Sequence, residues 1–520
     1  MLLFSLSACE TARIFSAPSG VPDVVTLIEP HLDEDDYEQY LEVLPIPQSY
    51  YISDNANTLR LSMRHPKTLN PLTNEDITVA RILRLIFEPL IILDENLQPT
   101  SHLAEVEFSS DFSSVVVAIR NDAFWSDGSP VTVDDLIFSI ETLRAASSYA
   151  IYRNNVENIA NISHINARTA RIYFHKPGPS VGVSLGFPLI PRHHYQNQIV
   201  QNNMIPIGNG PFMLEHFWSM NNMTLAKNPL SFRTSVHFEK VNVILLPNAE
   251  TELNAFDQGR IDAVYLPVTE LARNANMRHP NHKTFPGMYF EFIGFNFEEE
   301  LFQNLHVRQG ISYAIDADSI VSITYIDHAI RTTTPIHPNN FLSTPTRTPT
   351  YNPTRAKTLL MSMPITRPIV IIVNDDNPQR IRVAHNIAES LKLLDITVNV
   401  EILSYTEYFL RLDEGRFDLF VGGINLDFVP NLEFFFAGGL NDLFINDIVL
   451  QEAYSRALFS GAYDNHLDYY AEFQKMFLER VPIISLAFRH SSVLTNARIS
   501  QNKSPAPCSH NAFLWVNLWD

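Results

Sequence analysis

The chain has 520 residues, 45% of them apolar and 34 of them phenylalanine, with 37 basic against 57 acidic residues and a formal net charge of -20. Single cores stop growing at about 250–300 residues, so two or three domains are expected, and the apolar content excludes a disordered chain. The acidic excess argues against a nucleic-acid partner, and two cysteines, Cys9 and Cys508, are too few for a disulfide framework.

In chain order, the first eight residues are apolar or small and end at Cys9. They read as the tail of a secretory signal without its basic start, and Leu6-Ser7-Ala8-Cys9 resembles a bacterial lipoprotein processing box with Cys9 as the lipidated residue. Residues 1–19 are assigned to this signal and linker. Glu29 to Glu42 carries seven carboxylates and reads as a solvated arm, since it lacks the glycine and closing glutamate of a calcium loop. A strand is predicted at Leu59 to Met63 and a helix at Ile77 to Leu85, with Val79, Ile82 and Leu83 on one face. Val115 to Ile119 is a strand. Asp127-Gly128 marks a turn, and Thr132 with Asp135 forms a capping box. The helix it opens turns Val133, Leu136, Ile137, Ile140 and Leu143 inward. Gly and Pro crowd the stretch Ile205 to Phe212, a domain boundary.

A second α/β unit follows: strand Val241 to Leu246, helix Glu250 to Gln258 stopped by Gly259, strand Ile261 to Leu266. Phe290 to Phe297 is an apolar strand, with helices expected after Leu305 and near Asp318 to Tyr325. Residues 332–353 lack periodicity and read as a long functional loop or a packed surface strap. The stretch Ile369 to Gly423 alternates apolar runs with 3.6-residue periodicity: strand Ile369 to Val373, a helix carrying Val383, Ile387, Leu391 and Leu394, strand Ile396 to Leu403, helix Tyr405 to Leu412, and strand Phe417 to Val421 entering Gly422-Gly423. That pattern predicts a mostly parallel sheet flanked by helices. Ligands bind beyond the carboxyl ends of such strands, which singles out the residues after Val421. Leu467 to Glu479 is the last long helix, Ile483 to Phe488 a strand, and Phe513 to Trp519 closes the chain.

Catalytic patterns are absent: no nucleophile elbow, phosphate loop or His-Glu-x-x-His. His193-His194 are adjacent and share no helix face, so no metal site is assigned, and no cofactor is expected. Phe434-Phe435-Phe436 reads as core.

Several segments together resemble one family, the extracytoplasmic solute-binding proteins of ABC importers in the peptide and nickel class. They are Thr68-Leu69-Asn70-Pro71, Phe87-Glu88-Pro89-Leu90, the stretch from Arg120 through Trp125, Asp127 and Gly128 to Leu136, Gly208-Asn209-Gly210-Pro211-Phe212, Asn228-Pro229, Gly259-Arg260-Ile261-Asp262, Gly294-Phe295-Asn296, and Val307 to Asp316. They occur in the family's order between about Leu59 and Ser492.

The resemblance implies an α/β, two-lobed periplasmic-binding-protein fold (type II, cluster C) with an additional domain. Lobe one would take 20–94, 208–300 and 485–520, the additional domain 95–207, and lobe two 301–484. It further implies a monomeric, non-enzymatic receptor that encloses a short peptide between its lobes and delivers it to a membrane permease. In peptide-binding members an aspartate beyond the lobe-two glycines meets the ligand's ammonium. Asp427 stands at that position, and as a carboxylate beyond a strand end it suits the role. Asn425 adds hydrogen-bonding capacity, Ile424 stands where peptide binders commonly carry an aromatic, and Tyr289 and Trp125 are secondary contact candidates. The departure at Ile424 keeps open a nickel complex, an oligosaccharide or a cell-wall fragment as solute, and a sensor or chaperone role without a permease.

Overall fold

The computed structural model describes residues 57–94, 96–196, 205–218, 222–266, 281–326, 328–344, 351–426, 432, 435–436, 447–459, 463–500, 511–516 and 519. Its strands run in chain order β1 (Thr58–Met63), β2 (Ile91–Leu93), β3 (Pro99–Ser101), β4 (Ala104–Phe108), β5 (Ser114–Ile119), β6 (Ile159–Asn166), β7 (Thr169–Phe174), β8 (Phe212–Trp218) and β9 (Asn222–Lys227). They continue as β10 (Lys240–Leu245), β11 (Ala263–Leu266), β12 (Asn281–Phe295), β13 (Ala329–Arg331), β14 (Ile369–Asn374), β15 (Val398–Leu403), β16 (Leu419–Asn425) and β17 (Ile483–Thr495).

Three small sheets serve the first half of the chain: four strands in the order β1-β10-β9-β8, the hairpin β2-β3, and four antiparallel strands in the order β4-β5-β7-β6. They do not keep separate interiors. Leu59, Leu61, Val241 and Val243 share one core with Val115, Val117, Ala170, Ile172 and the Val133–Ala145 helix. That helix begins where the sequence predicts, with both halves of the Thr132/Asp135 box formed. Gly259 ends the Ala249–Asp257 helix in the left-handed region, at φ 68°.

The remaining sheet has seven strands in the order β11-β17-β12-β16-β14-β15, with β13 paired to β17. Within it β14 runs parallel to β15 and β16, and the other pairings are antiparallel. The sheet is therefore mixed rather than mostly parallel. The periodicity reads β14, β15 and β16 correctly, but strand direction in β12 and β17 comes from long-range pairing that periodicity does not report. Those two strands pair along almost their whole lengths. The far end of β17 pairs with β11 through Ser492–Thr495, while the carboxyl half of β12 pairs with β16. One continuous ladder thus joins the two halves of the molecule.

The sheet buries both faces. Phe290, Phe292, Ile372, Phe420, Ile424 and Phe488 face the core covered by helices Tyr405–Asp413, Ile448–Phe459 and Tyr463–Arg480. Ile293, Phe295, Ile369, Ile371, Val373, Leu419 and Val421 face the core covered by helices Leu305–Ala314, Ala317–Tyr325 and Pro378–Lys392. The described part of the aperiodic stretch, 332–344, is a packed strap. Ile336 and Leu342 are buried in the first of these cores, and the Gln474 side chain donates to the Leu342 carbonyl at 3.0 Å.

Candidate functional site

The glycines at 422 and 423 do not end the strand, as the sequence suggests, but lie inside β16, which reaches Asn425. In register, Asn425 lies opposite Tyr289, Ile424 opposite Phe290 and Gly423 opposite Glu291, while Arg489 on β17 also pairs with Tyr289. Alternation along the strands puts Tyr289, Glu291, Gly423 and Asn425 on one face.

The fourth contributor follows β14. Asn377 caps the next helix by accepting from the Arg380 N–H at 3.2 Å, with Pro378 pre-set at its start. Arg380 thereby enters the first helical turn, where the helix dipole disfavours a cation. Its compensation is Glu291, which is fully buried and accepts from Arg380 Nε at 2.8 Å and from Arg489 Nη1 at 3.4 Å. Arg380 Nη2 donates to the Tyr289 hydroxyl at 2.9 Å, and Arg489 Nη2 to the Gln379 side-chain oxygen at 3.5 Å. The two arginines are 7% and 2% exposed, so one buried carboxylate holds two buried guanidiniums. Burial alone would lower the Arg380 pKa, but Glu291 and the adjoining phenol oxygens hold it well above its usual value. Burial, with Glu291 nearby, pushes the Tyr325 phenol well above its ordinary range.

Gly423 is a steric requirement of this cluster. A Cβ there would lie 2.2 Å from Arg380 Nη2 and 2.7 Å from Glu291 Oε2. The cluster sits where the parallel strands β14 and β16 end. The residue after Asn425, Leu426, whose N–H bonds the Met288 carbonyl at 2.9 Å, immediately precedes Asp427 in the sequence.

The structure brings two candidate contacts together, half-buried Tyr289 and buried Asn425, whereas Ile424 turns to the opposite face of the sheet, into the apolar core with Phe290. Trp125 is not with them. It is fully buried in the first core, and its indole N–H donates to the Asp135 carboxylate at 3.2 Å, so it packs and braces the capping box and presents no surface to a ligand. Asp427, Cys9 and Phe434 lie outside the described residues. His193 bonds Asp127 at 2.7 Å, and among the described residues no group of three or more His, Cys, Asp or Glu is arranged to hold a metal.

Sequence reasoning missed Glu291, Arg380 and Arg489. Two of them carry a signal, since a charge inside an apolar strand run needs a buried counter-charge.

The motifs quoted above become polar clamps. Asp262 is fully buried against Arg60, at 2.7 Å, and Arg498. Asn296 donates to the Gly415 and Phe417 carbonyls at 2.9 and 2.8 Å. Arg308 donates to the carbonyls of Phe302, Gln303, Arg480 and Val481. Glu88 accepts from Arg233 at 2.8 Å and meets His102 at 2.7 Å. Burial opposes its charge, yet Arg233 and His102 hold its pKa down at about 2. Burial keeps the His102 pKa below its usual value, and the ionised Glu88 carboxylate can only accept, so in this contact the imidazole N–H donates.

The profile of the family described as "Bacterial extracellular solute-binding proteins, family 5 Middle" matches residues 98–441. The chain belongs to this family. Among curated relatives it is 23% identical over 300 residues to the oligopeptide-binding protein OppA of Bacillus subtilis, a match covering 52% of this chain and 54% of that one. The chain thus spans about half the length of the curated relatives it matches. Among solved structures, the ABC transporter substrate-binding protein CtaP of Listeria monocytogenes superposes with a TM-score of 0.73 at 16% identity, over 89% of this chain and 98% of that one. NikZ of Campylobacter jejuni, solved with Ni(L-His), superposes at 0.63 with 21% identity, over 90% and 100%. These likenesses bear out the two-lobed α/β binding-protein fold, and family membership agrees with a binder rather than an enzyme. An extracytoplasmic location is typical of family 5 solute-binding proteins.

Proposed function

We propose that this family 5 protein is the receptor subunit of an ABC importer, capturing short peptides between two lobes and passing them to a membrane permease. The observation that carries the reading is the end of β16: Asn425 and Tyr289 pair across two strands above a buried, net-positive cluster, and the chain runs from there into Asp427. A carboxylate held beyond strand ends in a closing cleft receives an ammonium group well. Asn425 and Tyr289 supply polar contacts, while Ile424 backs the site from the core.

The lobes divide as 20–94, 208–300 and 485–520 against 301–484, with 95–207 as an additional unit, and motion between them bends the paired strands β12 and β17. The register shift between Pro286 and Tyr289, where the ladder is interrupted, favours a bend before Tyr289, inside the 208–300 segment, because Tyr289–Phe295 pair with β16. The protein acts as a monomer tethered through lipidated Cys9. OppA is named for oligopeptides, which favours peptide as the solute class.

The test is mass spectrometry of the small molecules released when gently purified protein is denatured. A ladder of short peptides with free amino ends is the expected result. A single non-peptide solute, such as a metal chelate, overturns the substrate and leaves the fold.

A further inference from the structure

Two hairpin tips in the first half of the molecule share an unusual backbone. Leu97, at the β2–β3 turn, and Phe112, at the β4–β5 turn, both sit in the left-handed region, with φ of 58° and 52°. In each turn the residue donates its N–H three residues back, Leu97 to the Asp94 carbonyl at 3.1 Å and Phe112 to the Ser109 carbonyl at 2.9 Å. A tight turn ending this way is ordinarily completed by glycine, because a large L side chain is strained there. Nothing within the first turn rewards leucine, while Phe112 meets Phe108 of its own hairpin, ring centroids 5.7 Å apart, and belongs to the first core.

The reward lies across the molecule. The base of the first hairpin, Ile91, belongs to the core of the first half, but Leu97 is fully buried in the core on the other side, with Ile336, Leu342, Phe488 and the long helices. Asn96 beside it accepts the Phe341 N–H at 3.0 Å. Phe112 places its ring edge-on to His466 of the Tyr463–Arg480 helix, with centroids 4.9 Å apart. Nearby, Lys176 lies 5.5 Å from the centre of the Phe459 ring, and Gly178 approaches so closely that a Cβ would lie 2.2 Å from the Leu458 carbonyl oxygen. These contacts gather on one surface, between the β2–β7 region and the helices Ile448–Phe459 and Tyr463–Arg480.

We propose that Leu97 and Phe112, both on the additional unit, form a two-point apolar latch that holds this unit and lobe two together without ligand, Leu97 as the buried anchor and Phe112 as an edge contact made from the first core to His466. The proposal rests on the two-lobe reading above, but not on the identity of the solute. Its consequence is a receptor biased toward closure, in which ligand entry competes with the latch.

The test is a distance measurement by pulsed electron resonance on ligand-free protein, with Cys9 and Cys508 replaced by serine and spin labels at Ile165→Cys and Leu393→Cys, both exposed sites. Leu97→Gly combined with Phe112→Gly relieves both turns but also removes Phe112 from the first core, so circular dichroism and melting check folding, and Leu97→Gly alone, which alters no residue of that core, is measured beside it. The expected result is a shift of the label distances toward a longer population, with the closed-to-open ratio falling by about tenfold or more, as loss of one or two buried large side chains implies. Leu97→Met, which keeps the apolar contact, retains the parent distribution. A double variant with the parent distribution overturns the latch, whether or not peptides are released from the purified protein. A shifted distribution upholds it, even if the released solute proves not to be a peptide.

Discussion

Replacing Glu291 by glutamine tests the physical basis of the site. The substitution preserves shape and one acceptor oxygen but removes the negative charge that Arg380 and Arg489 share at 2.8 and 3.4 Å. Both guanidiniums are buried, so neither regains water without opening the sheet. Breaking a buried ion pair from one side costs about 3–5 kcal/mol. For a cooperative unit of roughly 150–250 residues, 1 kcal/mol moves the midpoint by about 2–4 °C, so a fall of roughly 6–20 °C is expected. Calorimetry and urea unfolding followed by circular dichroism measure it. Glu389→Gln is the matched control, because its contact with Lys392 is 3.9 Å long and exposed, and it should cost under about 1 kcal/mol. A Glu291→Gln loss no larger than the control's would refute the view that this carboxylate is the shared counter-charge of two buried cations.

Gly423→Ala forces a methyl group against Arg380, Glu291 and Tyr289. It should cost about 1–3 kcal/mol by overpacking and weaken solute binding, which titration calorimetry with the released ligand reads. Trp125→Phe should lose about 1–2 kcal/mol of stability with its bond to Asp135 and leave solute affinity unchanged, separating packing from contact. Glu88 gives a pH signature. Its folded pKa of about 2 lies below its ordinary 4.5, so its stabilisation is complete above about 4.5 and is lost as the pH falls from there toward 2. The loss is on the order of 3 kcal/mol, appears in urea midpoints between pH 5 and 2.5, and flattens in Glu88→Gln.

Local signals were legible where local physics decides. The Thr132/Asp135 capping box, the stop at Gly259 and the alternation of β14, β15 and β16 with their helices were all readable in advance. What escaped was non-local. The strand read from the sequence covers Ile483 to Phe488, yet β17 continues through the polar run Arg489-His490-Ser491-Ser492 to Thr495. Pairing with β12 and β11 satisfies its backbone, Glu291 takes the charge of Arg489, and Ser491 bonds the Tyr265 hydroxyl. Likewise Trp125 sits in a recognisable motif, but only the fold shows its indole spent on Asp135. At the candidate site the strand ending in Asn425 was pointed to by the sequence, whereas the Glu291–Arg380–Arg489 cluster beneath it joins residues 89 and 198 positions apart. The hairpin tips at Leu97 and Phe112 lay hidden for a similar reason, since their left-handed backbone is legible only in three dimensions.

The most direct test of the account is calorimetric titration with one short peptide drawn from the released mixture, offered with a free and with an acetylated amino end, to the parent protein and to Asp427→Asn. The account predicts that the free-amine form binds the parent more tightly by about tenfold or more, as a charge-assisted contact implies, and that Asp427→Asn erases the difference. Equal affinity of the parent for both forms would contradict it.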